Sequence, residues 1–250
     1  MVRTLLIRGM IVGALAGLLA FGFAKVFGEP QVDLAIAFED QMHKAMNMPA
    51  EPELVTREVQ GTIGLFTGVV VYGAAFGGLF SLAFAFAYGR IGDLGARGTA
   101  AVLAAAVFIA IVVVPALKYP PNPPSVGEPE TIAFRSWTFF LMMLISIAAM
   151  VASFALRRRL SARYGGWNAT LIGGAVFIVI VAVVQLLLPA INEVPEGFPA
   201  VVLWRFRITS VGIELILWTT IGLLFGALTE RSLSARSGLG RQAPSLYGRA

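Results

Sequence analysis

Cysteine is absent from this 250-residue chain, and histidine occurs once, at His43. Without a thiol there is no disulfide, no thiolate nucleophile or thiolate metal site, and no Cys-ligated iron–sulfur cluster. A single imidazole also excludes bis-His haem ligation. Charge is scarce: Asp, Glu, Lys and Arg make up 13% of the residues, while 58% are hydrophobic. An average soluble domain carries about 25% charged residues, so most of this chain cannot face water. Nucleotide-binding and metalloprotease signatures are missing as well, with no G-x-x-x-x-G-K-[ST], no H-E-x-x-H and no pair of Asp inside an apolar run. A serine nucleophile would lack a base, because His43 lies outside the apolar runs. These absences point away from an enzyme.

What is present is a succession of long uncharged stretches. A hydrocarbon core about 30 Å thick needs about 20 apolar residues in a helix. The runs are too long, and alternate too little, for barrel strands. The expectation is an all-α integral membrane protein of six transmembrane helices, at Thr4–Phe27, Gly61–Tyr88, Gly98–Leu117, Ser136–Leu156, Asn168–Ile191 and Ile208–Thr229. Arg3 and Arg8 before the first run resemble a secretion signal, but the run is longer than a usual signal core, so the first helix is expected to stay.

Charge placement sets the orientation. With the N-terminus inside, the inner segments hold twelve arginines, Arg157, Arg158, Arg159 and Arg163 among them, against only Asp93 and Glu230. The outer segments hold the seven other basic residues and eleven carboxylates. This positive-inside bias places both termini in the cytoplasm. The net charge of +5 is therefore read as membrane topology, with no nucleic acid implied.

Val114-Pro115-Ala116-Leu117 and Leu188-Pro189-Ala190-Ile191 end two spans in the same way, and each precedes an outer loop that leads to an Arg, Arg135 or Arg205. Arg57 echoes this ahead of the second span. The pattern is expected to reflect three out-and-back hairpins in parallel pseudo-repeat, about 1–90, 91–163 and 164–233, forming one membrane domain over 1–233. Residues 234–250 read as a flexible cytoplasmic tail near anionic headgroups. Glycines at four-residue spacing, Gly9/Gly13/Gly17, Gly64/Gly68, Gly73/Gly77 and Gly222/Gly226, are expected to be helix-packing faces.

Glu214 is the only acidic residue inside a span. A charge there costs several kcal/mol unless paired, protonated or wetted. Two explanations stand: a network with Arg207, two turns earlier, or a cation or proton site facing a cavity, with Gln185 as polar neighbour. Arg135, Asn192, Glu193, Arg205 and Arg207 complete the candidate transport set, although snorkelling and pairing with Glu193 or Glu196 account for the arginines equally. In the first outer segment Glu39, Asp40, Met42, His43 and Met46 gather carboxylate, imidazole and thioether groups. If that segment is helical, Glu39 and His43 share a face and offer a chelating pair for a borderline divalent ion. An ordinary solvated amphipathic segment is the alternative. Tyr119-Pro120-Pro121-Asn122-Pro123-Pro124 cannot be helical and is expected to be a stiff outer lid.

Residues 117–127, Asn192-Glu193-Val194-Pro195, Phe198-Pro199-Ala200 and Leu203-Trp204-Arg205-Phe206-Arg207 resemble the CbtA family of probable cobalt transporter subunits. Residues 27–32 and 51–57 are similar too, so the resemblance runs from the first span to the last. It implies a bacterial inner-membrane protein linked to cobalt supply, working with a small single-span His-rich partner of the CbtB kind. Members are often described with five spans, against the six read here. No cofactor is expected to be held permanently; Co²⁺ is expected as cargo, and the lipid bilayer as surroundings. Homo-oligomerisation is left open. One Glu, one Gln and a few hydroxyls are too few ligands to dehydrate a divalent ion, so a partner or an oligomer would supply the rest. The rival expectations are a non-transporting structural or assembly subunit and a carrier for an organic or anionic solute.

Overall fold

The computed structural model describes residues 2–47 and 54–241, with side chains to Ala235. Met48, Glu51, Glu53 and the tail 242–250 lie outside the described residues, which contain no strand. Five helices are long and apolar enough to cross a membrane. They are α1 (Val2–Ala45), α2 (Arg57–Ala87), α3 (Ala96–Lys118), α4 (Ile132–Leu187) and α5 (Ala200–Arg241). Large apolar side chains cover their outsides; Ile63, Phe86 and Leu186 are 68%, 73% and 85% exposed. Such a surface needs lipid rather than water.

Five helices stand where six were expected because the fourth and fifth spans fall within α4. Its 56 residues are broken only at Gly165, where φ is 75° and ψ is 163°. That conformation is almost restricted to glycine. The two arms, 132–164 and 166–187, pack against each other: a β-carbon on Gly173 would stand 3.1 Å from the Ser153 carbonyl. Arg157 Nε donates to Thr170 Oγ1 at 2.9 Å, and Met142 and Val181 share one apolar cluster. Leu188 turns extended because the residue before Pro189 is pushed out of the α region.

Helix α1 departs most from expectation. It was expected to end at Phe27 and runs on to Ala45, 44 residues in all, or about 66 Å of helix against a hydrocarbon core of about 30 Å. Its passage through Pro30 has a local cause. A proline ring collides with the carbonyl four residues back, here Val26, and that residue lies in a π-helical turn over Ala24–Gly28 that opens the ring of hydrogen bonds. Pro115 in α3 follows the π-helical turn Ile109–Val113 in the same way. The helix ends where Asn47 takes a left-handed φ of 52°.

Helices α1, α2, α3 and α5 make the central bundle. Gly9 and Gly13 meet the carbonyls of Gly77 and Gly73, and Gly17 meets Val69, so α1 and α2 lie backbone against backbone. Gly222 and Gly226 of α5 bring that helix onto Ala104 and Ala100 of α3. Val12, Ala16, Phe80, Phe84, Ile221 and Phe225 fill the space between. Gly64 and Gly68 depart from the packing expectation: Gly68 has no neighbour for a β-carbon within 4 Å, and both line a cavity. The helix pairs are not alike. α5 packs on α3 and α1, whereas the second arm of α4 packs on the first arm and on the C-terminal end of α3.

Polar contacts gather at the two ends. At one, Arg8 donates to Thr229 Oγ1 (3.0 Å), Arg97 pairs with Glu230 (3.0 Å) and Arg157 donates to the Ile91 carbonyl (3.1 Å). At the other, Arg57 reaches Glu29 (2.6 Å) and Asp33 (3.0 Å), and Lys25 donates to the Gly61 carbonyl (2.8 Å).

Candidate functional site

Arg207, Ser210 and Glu214 lie at i, i+3 and i+7 on α5, a spacing that aligns them on one face. All three line a half-open cavity of about 880 Å³ between α2, α3, the first arm of α4 and α5. Its walls toward the membrane interior are apolar, with Phe76, Ile111, Phe139, Phe140 and Met143. Its mouth is formed by Tyr119–Asn122 and by the loop at Ile191–Val194. Tyr119 holds these two segments together, its hydroxyl donating to the Pro189 carbonyl at 2.9 Å.

Glu214 sits at the inner end of the stripe. Tyr72 of α2 donates its hydroxyl to Oε1 at 3.2 Å, and Trp218, one turn further along α5, donates Nε1 to Oε2 at 3.1 Å. Phe76 packs between these two rings, at 4.3 Å from Tyr72 and 5.8 Å from Trp218. Both donors are neutral, and among the described residues no cation pairs with this carboxylate. Each hydrogen bond to a charged group offsets about 1.5–3 kcal/mol, so the two together offset a cost of several kcal/mol while leaving the net charge itself unpaired. Tyr72 and Glu214 also line a second, smaller cavity of about 450 Å³ between α1, α2 and α5, beside Gly64 and Gly68. The pair therefore stands where two cavities meet.

The network with Arg207 is not formed. Arg207 Nη2 donates to Asn122 Oδ1 at 2.8 Å, and its buried Nε has no hydrogen-bond partner. Arg135 Nε lies 3.3 Å from Glu193 Oε2, and its Nη2 donates to the Glu128 carbonyl at 3.1 Å. Glu193 also accepts from the Glu128 backbone N–H (2.9 Å) and from Thr131 Oγ1 (2.8 Å). The Glu128 N–H first, then Thr131, and Arg135 more weakly, hold the Glu193 carboxyl below its ordinary range.

The cavity thus brings together Glu214, Arg207, Arg135, Asn192 and Glu193, and leaves out two residues expected near them. Gln185 donates instead to the Val114 carbonyl at 3.0 Å, tying the second arm of α4 to α3. Arg205 is exposed on α5 and is not part of the lining. Tyr72 and Trp218 were not anticipated. Trp218 was within reach, being a polar-edged ring at i+4 from the one membrane carboxylate, whereas Tyr72 carries no local signal.

Glu39, Asp40, Met42 and His43 lie on the C-terminal extension of α1, and Met46 is the residue that caps it. The segment is helical, so Glu39 and His43 are one turn apart. Among the described residues, no three His, Asp or Glu side chains come together as a metal-holding group. This extension packs over the mouth segments: Ala35 joins Val126, Phe198 and Val202 in one cluster, and Phe38 meets Phe198 edge to face at 5.1 Å.

A family model described as "Probable cobalt transporter subunit (CbtA)" matches residues 2–230. Neither a curated protein nor a solved structure matches the chain. A match over that length is membership: the chain belongs to the CbtA family, probable cobalt transporter subunits.

Proposed function

We propose that this chain is the membrane-embedded subunit of a divalent-cation transporter, with cobalt as cargo and with the cavity beside Glu214 as the route. The observation that carries the reading is a carboxylate at membrane depth held by two neutral donors, without a cationic partner among the described residues and facing two cavities. An arriving cation would offset the charge that the protein leaves uncompensated. The family description supports transport rather than catalysis.

Six crossings follow in this reading if the two arms of α4 each span the bilayer. The antiparallel packing of the arms about Gly165 and the separation of polar contacts into two end layers support that count. The end carrying Arg8, Arg97 and Arg157 is then cytoplasmic, in a bacterial inner membrane, with both termini on that side. A small His-bearing subunit would supply the nitrogen ligands that a chain with one His lacks.

The test is cobalt uptake by a transport-deficient host expressing the chain with its subunits. Glu214→Gln keeps the shape and one acceptor but removes the charge, and the expected result is a fall of about tenfold or more, the effect of losing about 1.4 kcal/mol. Unchanged uptake in a stably inserted Glu214→Gln variant would overturn the assignment. Copurification with a larger complex, without uptake under any condition, would favour a structural subunit.

A further inference from the structure

We propose that the solute of the outer cavity is a divalent cation carried as a chelate of a small organic carboxylate, with Arg207 receiving the chelator and Glu214 facing the metal. The proposal rests on the transport reading above and specifies its substrate class.

Size is the first reason. Six water ligands of a bare ion occupy roughly 180 Å³ at their bulk share of about 30 Å³ each. The half-open cavity, at about 880 Å³, has room for a solute several times that size. The donor set is the second. Of the two carboxylates in the lining, Glu193 is already engaged by Arg135, Thr131 and the Glu128 N–H, leaving Glu214 alone. One carboxylate and a few hydroxyls cannot replace the six or so oxygen or nitrogen ligands that such an ion demands. A chelated ion keeps most of its ligands, so Glu214 and a His-bearing subunit need supply only the few that remain.

Charge is the third reason. Among the described residues, Arg207 at the mouth has the neutral Asn122 as its hydrogen-bond partner and a buried Nε that meets no acceptor. A guanidinium in that position repels a bare dication and attracts an anionic ligand, for which its fork of donors is suited. Spacing is the fourth. Arg207 and Glu214 are seven residues apart, about 10.5 Å along the helix, with Ser210 between them. That span accommodates a small metal chelate lying along α5, its carboxylate outward and its metal inward. The aromatic and thioether walls favour a solute whose ion is already shielded from them.

Trp218 supplies a local reporter, since its Nε1 is bonded to Glu214. The experiment uses the full chain, with subunits that copurify, carrying Trp137→Phe, Trp167→Phe and Trp204→Phe; all three of those tryptophans are exposed. Cobalt(II) citrate, cobalt chloride and citrate alone are titrated against Trp218 emission, which cobalt quenches at short range. The expected result is saturable quenching by cobalt citrate at a concentration about tenfold or more below that needed for cobalt chloride, a preference that Arg207→Gln removes and Arg207→Lys largely keeps. Equal or tighter quenching by cobalt chloride overturns the proposal and leaves the transport reading standing. Displacement of the complex by citrate alone at equal concentration overturns it in favour of a metal-free anion carrier. Quenching by neither cobalt form in a folded protein overturns both this proposal and the cavity assignment.

Discussion

Tyr72 and Glu214, 142 positions apart in sequence, meet across the α2–α5 contact, where the phenol donates to the carboxylate at 3.2 Å. With Trp218 on its other oxygen, Glu214 is held at the boundary between two cavities instead of swinging freely in either. Tyr72→Phe keeps the ring stack with Phe76 and removes one bond worth about 1.5–3 kcal/mol to the carboxylate, of which about 1 kcal/mol is expected to reach the rate. Initial rates of cobalt uptake, at matched protein in the membrane, are expected to fall about fivefold, less than for Glu214→Gln. A Tyr72→Phe rate equal to that of the unaltered chain would show that the bond has no part in passage.

The glycine contacts separate into two kinds that one substitution series distinguishes. Gly13→Ala drives a β-carbon into the Gly73 carbonyl, and backbone on both sides leaves nothing flexible to give way. The expected outcome is a loss of folded monodisperse protein in detergent and a fall in its melting temperature. Gly68→Ala meets no atom within 4 Å and gains helix propensity of up to about 1 kcal/mol. Its melting temperature is expected to hold or rise.

Acid should loosen the outer clasp. The Glu193 carboxyl is held below its ordinary value of 4.5, chiefly by the Glu128 N–H. A carboxyl depressed in the folded state contributes stability that is complete above its unfolded value and is lost as pH falls through the folded one. The melting temperature should therefore be flat near neutrality and decline below the ordinary carboxylate range. Glu193→Gln should be less stable at neutral pH and show a shallower acid decline. Parallel curves for the two proteins would rule out this origin.

The bend at Gly165 predicts a topological result. A β-carbon at φ 75° and ψ 163° costs about 1–3 kcal/mol, and Gly165→Ala is expected to destabilise by that amount. Because the chain has no cysteine, single Cys introduced at Trp167 and at Glu196 report alone on their own sides. Labelling of the former only from the cytoplasm and of the latter only from outside is expected; labelling of both from one side would remove the crossing by residues 166–187.

Composition made the membrane helices legible, because uncharged runs near 20 residues have few other solutions. The Gly9/Gly13/Gly17 face was legible for a similar reason: small residues at helical spacing mark close approach. Two things were hidden. The outer part of α1 carries Glu29, Pro30, Asp33, Glu39 and Asp40 and looks like a loop by hydropathy, yet it stays helical because a π-helical turn absorbs the proline and Ala35 and Phe38 find apolar partners in distant loops. The partner of Glu214 was hidden because proximity was sought along neighbouring spans at Gln185, whereas packing delivers Tyr72 from α2 and leaves Gln185 to a backbone carbonyl of α3.

The backbone contact of α1 with α2 has a mechanical side. Two helices in register at Gly9–Gly77 and Gly13–Gly73 have no side-chain layer between them, so their spacing is set by backbone alone. The first arm of α4 forms a wall of the cavity but rests on the outer end of α3, on its own second arm and on polar clasps at the mouth. A change in the first arm of α4 therefore meets side chains that can repack, whereas a change at the glycine seam of α1 and α2 meets only backbone, which cannot.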